Sequence, residues 1–264
     1  MQLIVTRANT LQAFSWIKNG WRLFTLKPAV FMGMSGVILS LSLVANFVPV
    51  LSYFIIFLMP FLSIGYYQVA SQIEQDKPSN VSDVFQYLGQ MKEYFVLLKL
   101  ALLSIAISIP SSMAALSIME AAEQQIQPQM SDLATMVLFL GFNFMITAFS
   151  VPAAWVSPKT PLGQLVGQSL SACWQNVLPL TLLGLIMVAI WLISAPILVV
   201  GWLVAMAMAT LSLYQAFLDI YQPLQTADET PSPMVEESQD TQQEQAQDNG
   251  VEQESTDRTD HRQD

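Results

Sequence analysis

The chain has 264 residues and a net charge of −10, but charged residues make up only 11% of it, against about 25% in a soluble domain. Hydrophobic residues make up 53%, and together with the low charge content this argues against an ordinary soluble domain. The distribution of the apolar residues, given below, predicts an all-α integral membrane protein. The only histidine is His261 and the only cysteine is Cys173. Metal sites built from His and Cys clusters, and catalysis by Ser-His-Asp or Cys-His groups, are therefore excluded.

Residues 1–27 contain four basic residues and no acid. An apolar stripe recurs there at spacings of three and four, which predicts an amphipathic helix; its members are Leu11, Phe14, Ile17, Trp21 and Phe24. Aromatic rings on one face and cations on another suit the plane of a membrane interface. The residues predicted to contact that interface are Trp16, Lys18, Trp21, Arg22, Phe24 and Lys27. We expect this segment to be retained rather than cleaved as a signal peptide, because no small-residue cleavage site follows it.

Two long runs contain no Lys, Arg, Asp or Glu: 46 residues from Pro28 to Ile73, and 59 residues from Thr160 to Leu218. A helix that crosses a bilayer needs about 20 apolar residues, so each run holds more than one span. Charges and prolines divide the apolar sequence into six predicted spans, which are residues 29–48, 50–72, 97–119, 133–156, 177–195 and 197–218. Residues 28–222 are thus predicted to form a six-span transmembrane domain.

The spans pair into three hairpins, and an amphipathic segment precedes each pair. After the stripe that begins at Leu11, a second begins at Val84 and continues through Leu88 as far as Leu98, and a third begins at Leu162. The sequence therefore predicts three units, each an interfacial helix followed by a transmembrane hairpin. The alternative is that these segments are ordinary amphipathic connectors, since residue identity between the units is weak.

The placement of Lys and Arg predicts the orientation of the spans. The basic N-terminal segment is expected in the cytoplasm, which also places residues 73–96 and 157–176 there. The turns on the other side contain no basic residue, and the loop 120–132 carries Glu120, Glu123 and Asp132. Both termini are accordingly predicted to be cytoplasmic.

The membrane interior offers few candidates for function, because no ionisable residue lies at mid-span. Asn143 lies at depth in the fourth span, where such a residue either lines a path or bonds to a neighbouring helix. Pro60 and Pro152 either mark broken helices around a binding site or merely kink their spans. These three residues are the candidates for helix packing or path lining. The sequence predicts no catalytic, cofactor-binding or metal-binding residue.

Residues 223–264 carry the entire net negative charge, with twelve acids against Arg258 and Arg262. Their few large apolar residues cannot offset the entropy cost of ordering the segment, which predicts a disordered acidic tail. Such a tail either binds a basic protein partner or serves only to keep the chain soluble.

A resemblance to a known family is carried by four segments. These are the run Gly20–Pro28, the run Pro60–Tyr66, the charged turn Glu74–Pro78 and the tripeptide Asp83–Phe85. Together they resemble a family of uncharacterised proteobacterial inner-membrane proteins, in which a Gly-Trp-x-Leu-Phe segment and a proline precede a hydrophobic hairpin. The match covers mainly residues 14–90, and the later half is similar only in hydropathy. The resemblance implies a Gram-negative inner membrane and about six spans, with no established substrate or cofactor.

Two functions are compatible with these features. The first is a non-enzymatic scaffold or assembly factor for the envelope, which contacts membrane lipids and binds a protein partner through the tail. The second is a transporter or channel for an uncharged or lipid-like solute, since the absence of buried charge disfavours ion coupling. Nucleic acid is not expected as a partner, and the sequence leaves the oligomeric state open.

Overall fold

The structure is a computed structural model that describes residues 3–47 and 49–223. In these residues the chain is helical almost throughout. The α-helices are α1 (Gln12–Leu26), α2 (Pro28–Phe47), α3 (Pro49–Glu74), α4 (Phe95–Glu123), α5 (Met130–Val156), α6 (Leu162–Gln175), α7 (Val177–Ser194) and α8 (Leu198–Ile220). Two 3₁₀ helices, Val81–Gln90 and Ala195–Ile197, lie between them. The predicted acidic tail lies outside the described residues, except for its first residue, Pro223.

Five stretches of helix are long and apolar enough to cross a membrane on their own: Phe54–Glu74, Phe95–Glu123, Met130–Val156, Val177–Ile197 and Val199–Ile220. A sixth candidate combines α1 with residues 28–44 of α2, two helices that meet at an angle of 102°. The bend falls at Lys27, whose φ of −144° and ψ of 68° leave the helical region, as expected for a residue that precedes a proline. Residues 3–47 and 49–223 thus contain five or six helices that are long and apolar enough to cross a membrane, which indicates a multi-pass membrane protein.

The long helices pack in consecutive pairs, α2 with α3, α4 with α5, and α7 with α8. Helices α3, α5 and α8, the second members of these pairs, also contact one another. They supply many of the most deeply buried side chains, among them Phe61, Phe149 and Leu211. By contrast, large apolar side chains on the distal halves of α4 and α5, such as Met113 and Leu138, are exposed. Exposed apolar side chains of this kind are expected on a surface that faces lipid.

Three shorter segments pack against these inner helices: α1 against α8, the 3₁₀ helix Val81–Gln90 against α3, and α6 against α5. Small residues permit the close crossings. A Cβ atom added to Gly20 would lie 3.0 Å from the Ser212 hydroxyl oxygen. On α6, the Ser169 hydroxyl donates to the Met145 carbonyl oxygen at 2.7 Å. The three predicted amphipathic segments thus also pack against the protein.

The second amphipathic segment differs in form from the prediction, which continued its helical stripe as far as Leu98. The structure has a 3₁₀ helix from Val81 to Gln90 and begins α4 at Phe95. Val84 and Tyr87 are three residues apart and both buried, a spacing that places them on the same side of a 3₁₀ helix. The Asp83 carboxylate accepts a hydrogen bond from the Asn80 backbone N–H at 2.8 Å and fixes the start of this segment.

The ends of the described chain form a short antiparallel ribbon of strands β1 (Leu3–Val5) and β2 (Tyr221–Pro223). The all-α class is therefore right for the bulk of the chain and incomplete at its ends. The buried Asn176 side chain holds the segment that follows β1, since it accepts from the Ala8 N–H at 2.7 Å and donates to the Thr6 carbonyl oxygen at 3.1 Å. The N-terminal segment is thereby attached to the start of α7.

Candidate functional site

Four of the predicted interface residues lie on the outward side of α1 or at its end. Lys18, Trp21 and Arg22 are exposed and Lys27 is half-buried, with Trp21 51% exposed. Phe14, which lies seven residues or about two helical turns before Trp21, is 53% exposed. The outward face of α1 thus combines two aromatic rings with two cations, a composition typical of a helix at a membrane surface.

The other two predicted interface residues, Trp16 and Phe24, are buried in protein, and their assignment to a lipid-facing surface is wrong. Trp16 is 2% exposed and its indole N–H donates to the Asp219 carboxylate of α8 at 2.8 Å. Phe24 is 5% exposed and stacks between Trp21 and Phe31, with ring centroids 5.5 Å and 6.4 Å apart. Both side chains lie on the face of α1 that packs against other helices, where burying an aromatic ring is favourable.

Of the three interior candidates, Asn143 has a packing role. Its side-chain oxygen accepts a hydrogen bond from the Ser104 hydroxyl at 2.9 Å and joins α5 to α4, as intramembrane Asn residues often do. Pro152 is buried within α5. Pro60 lies within α3 and lines a cavity. The structure therefore brings only Pro60 to a site, and Asn143 contacts that site through Ser104.

This cavity has a volume of about 330 Å³ and lies between α3, α4, α5 and α8. Its wall is mostly apolar, with Ile56, Met59, Leu100, Phe144, Val151 and Leu213 among the lining residues. The polar side chains that line it are Ser63, Tyr67, Ser104 and Thr147, and no lining residue is charged. Ser63 and Thr147 donate to carbonyl oxygens one turn earlier in their own helices, so their hydroxyl hydrogens are already used.

A hydrogen-bonded cluster lies one turn beyond the cavity, toward the ends of α3 and α5. The Trp155 indole N–H lies 3.0 Å from the Tyr87 hydroxyl and 3.2 Å from the Gln68 side-chain oxygen. The Tyr87 hydroxyl also donates to Gln68 at 3.2 Å. These bonds join the 3₁₀ helix to both α3 and α5. Such a satisfied network favours a single packing arrangement at that end.

No family model, curated protein or solved structure matches this chain. The family resemblance of residues 14–90 therefore stays a prediction. Function has to be argued from the cavity and from the surfaces of the described helices.

The cavity suits an uncharged, apolar ligand. A pocket of this size falls at the lower end of the range for small-molecule sites, which are also mostly apolar with a few polar groups. Its wall offers no carboxylate, amine or imidazole for acid–base chemistry. Sequence reasoning missed most of these residues because they are distributed over four helices. The only signal was Pro60 and the few hydroxyl side chains within otherwise apolar spans.

Cys173 lies on α6, outside the spanning helices, and is 2% exposed. Burial raises the pKa of its thiol to about 12, and a hydrogen bond with Ser169 opposes this only in part. Because the thiolate is the reactive form of cysteine, this side chain packs as a small apolar group in the folded protein.

Proposed function

We propose that this chain is a non-enzymatic inner-membrane protein of bacteria that binds an uncharged, lipid-like solute in the cavity between α3, α4, α5 and α8. The observation that carries the proposal is the wall of that cavity, which is apolar apart from hydroxyl groups and includes no charged residue. An acyl chain or another apolar solute gains free energy when it leaves water for such a wall. The same wall disfavours an ion, which would lose its hydration without a compensating partner.

The proposed topology has both termini in the cytoplasm and six spans arranged as three units of surface segment plus hairpin. Basic residues support this orientation, because Lys18, Arg22 and Lys27 precede the first span and Lys77 follows the second. The repeated unit is supported by small residues at comparable depth in the second helix of each hairpin. These residues are Gly65, Ser150 and Ser212, and each meets a surface segment.

Photochemical labelling tests the cavity. A phospholipid with a diazirine at mid-chain is expected to label Met59 or Phe144 in purified protein. The substitution Thr147→Phe fills the cavity without breaking a bond between helices, since Thr147 bonds only to its own helix. It is expected to remove this labelling, whereas the control Ser112→Phe on the exposed side of α4 leaves it unchanged. Labelling that persists in Thr147→Phe would contradict the proposal.

The scaffold function stays a second hypothesis, since the tail expected to bind a partner lies outside the described residues. Affinity purification in mild detergent, with and without residues 224–264, tests it separately. A stoichiometric partner that is lost with the tail would favour the scaffold. A well-behaved protein without such a partner would favour solute binding.

A further inference from the structure

A second pocket, separate from the cavity above, lies between α1 and the last turns of α8. It has a volume of about 230 Å³, and most of its lining side chains are polar: Gln12, Ser15, Asn19, Gln215 and Asp219 line it together with Trp16 and Leu218. Leu213 faces the first cavity, whereas Gln215 and Asp219 face α1. The two sites thus lie on different sides of α8.

Asp219 places a carboxylate in this pocket. Among the described residues, only the Trp16 indole donates to this carboxylate, at 2.8 Å, and no described cation pairs with it. The neighbouring side chains on α1 are neutral amides and a hydroxyl. A carboxylate in a partly enclosed pocket is stabilised when a donor with positive charge binds beside it. The pocket therefore favours an ammonium group.

The Gln215 side chain places a second requirement on the ligand of this pocket. Its side chain is 8% exposed, and its amide nitrogen is buried without a hydrogen-bond partner. Buried amide groups in folded proteins are nearly always paired, so an unpaired donor that lines a pocket calls for an acceptor on the ligand. Gln215 and Asp219 are four residues apart and lie on one face of α8. The ligand should thus carry a positive donor and an acceptor within a few ångströms of each other.

The position of the pocket further restricts the kind of ligand that could bind there. Ser15 and Asn19 of α1 line the pocket, and the exposed Arg22 follows Asn19 by three residues, about one helical turn along α1. The outward face of the same helix carries Phe14 and Trp21, both about half exposed. The pocket thus lies on a helix whose outward face is suited to lipid headgroups, and a cation that pairs well with phosphate lies about one turn along that helix from Asn19.

We propose that this pocket binds a phosphoethanolamine group, with the ammonium at the Asp219 carboxylate and phosphate oxygens toward Gln215 and Arg22. Two sources carry this group, the headgroup of a membrane phospholipid and free phosphoethanolamine. Quaternary choline lacks N–H donors, so it cannot make the hydrogen bonds that Asp219 offers. The site is expected to prefer the primary amine by about tenfold, the effect of losing one charge-assisted hydrogen bond.

Native mass spectrometry of the full chain tests this preference, with phosphatidylethanolamine and phosphatidylcholine added to detergent-solubilised protein in equal amounts. The wild-type protein should retain phosphatidylethanolamine about tenfold better. Asp219→Asn keeps an acceptor for Trp16 but removes the charge, and Gln215→Met removes the amide at similar length. Asp219→Asn should abolish the preference. Gln215→Met should weaken retention of both lipids alike, because both carry the phosphate, and the control Asp132→Asn, at the start of α5, should change neither the preference nor the retention.

Adding soluble phosphoethanolamine distinguishes the two sources. Displacement of the lipid at millimolar concentration would assign the site to the free compound, and lipid retention would assign it to the membrane. Equal retention of the two lipids by the wild-type protein would overturn the proposal, whether or not the variants fold. A preference that survives in correctly folded Asp219→Asn would overturn it as well.

Discussion

Gly65 of α3 lies where the 3₁₀ helix Val81–Gln90 crosses, and replacing it with alanine tests that packing directly. The added Cβ would fall on the carbonyl oxygen of Val84 and lie 2.8 Å from the carbonyl carbon. Both atoms belong to backbone, which cannot rotate away as a flexible side chain does. The 3₁₀ helix must therefore move outward by roughly 1 Å, a typical response to overpacking.

That displacement has a cost that can be worked from the structure. It breaks the bonds of the Tyr87 hydroxyl with Gln68 and Trp155, which measure 3.2 Å and 3.0 Å, at about 1 kcal/mol each. Overpacking adds about 1–3 kcal/mol, and the better helix propensity of alanine returns up to about 1 kcal/mol. We therefore expect Gly65→Ala to lower the free energy of unfolding by roughly 2–4 kcal/mol.

Thermal unfolding in detergent measures the loss of stability, and hydrogen–deuterium exchange over residues 81–90 reports the displacement. The matched control is Gly141→Ala in α5, where an added Cβ meets nothing within 4 Å. The control should unfold at or above the wild-type temperature with unchanged exchange. If Gly65→Ala behaves like this control in both measurements, the proposed crossing of α3 and the 3₁₀ helix is wrong.

Four further predictions concern other parts of the chain. Because burial raises the pKa of Cys173 to about 12, its thiol should resist maleimide at pH 8, whereas exposed Ser171→Cys in a Cys173→Ser background should react readily. The same shift contributes stability that is complete below the pKa of about 9 of an unfolded thiol and is lost as the pH rises toward 12, which unfolding at increasing pH measures. Replacing the buried Asn176 with alanine leaves the Thr6 carbonyl oxygen and the Ala8 N–H unpaired and should lower the free energy of unfolding by about 2–3 kcal/mol, measured by equilibrium unfolding. Reporter fusions after residues 48 and 126 should both report a periplasmic location of the fusion point. A cytoplasmic location at residue 126 would contradict the six-span topology.

The spanning helices were predictable because the membrane imposes a simple requirement on sequence. A span needs about 20 apolar residues, and prolines mark the boundaries of several spans. Pro28 and Pro49 begin α2 and α3, and Pro196 lies in the 3₁₀ turn between α7 and α8. The helices begin and end within a few residues of the predicted spans, except that α4 and α5 extend further toward the loop that joins them.

The face of α1 that contacts lipid was not predictable from its sequence. Trp16 and Trp21 are five residues apart, so their side chains point to different sides of the helix. Hydrophobic periodicity finds apolar positions but does not distinguish a lipid-facing ring from one that faces protein. The buried position of Trp16 depends on Asp219, which lies 203 residues later. Only the fold supplies that information, as it does for the pairing of β1 with β2.

The packing order of the surface segments explains why α1 belongs to the folded domain. The 3₁₀ helix packs on α3, the helix that precedes it, and α6 packs on α5, which again precedes it. Helix α1 packs on α8, the last spanning helix among the described residues. The β1–β2 ribbon joins the two ends of the described chain. Without α1, the surface of α8 around Leu211 and Ser212, both fully buried, would lose its cover. A membrane anchor appended to a complete domain would leave no such surface, so the amphipathic N-terminal segment has to be counted as part of the core fold.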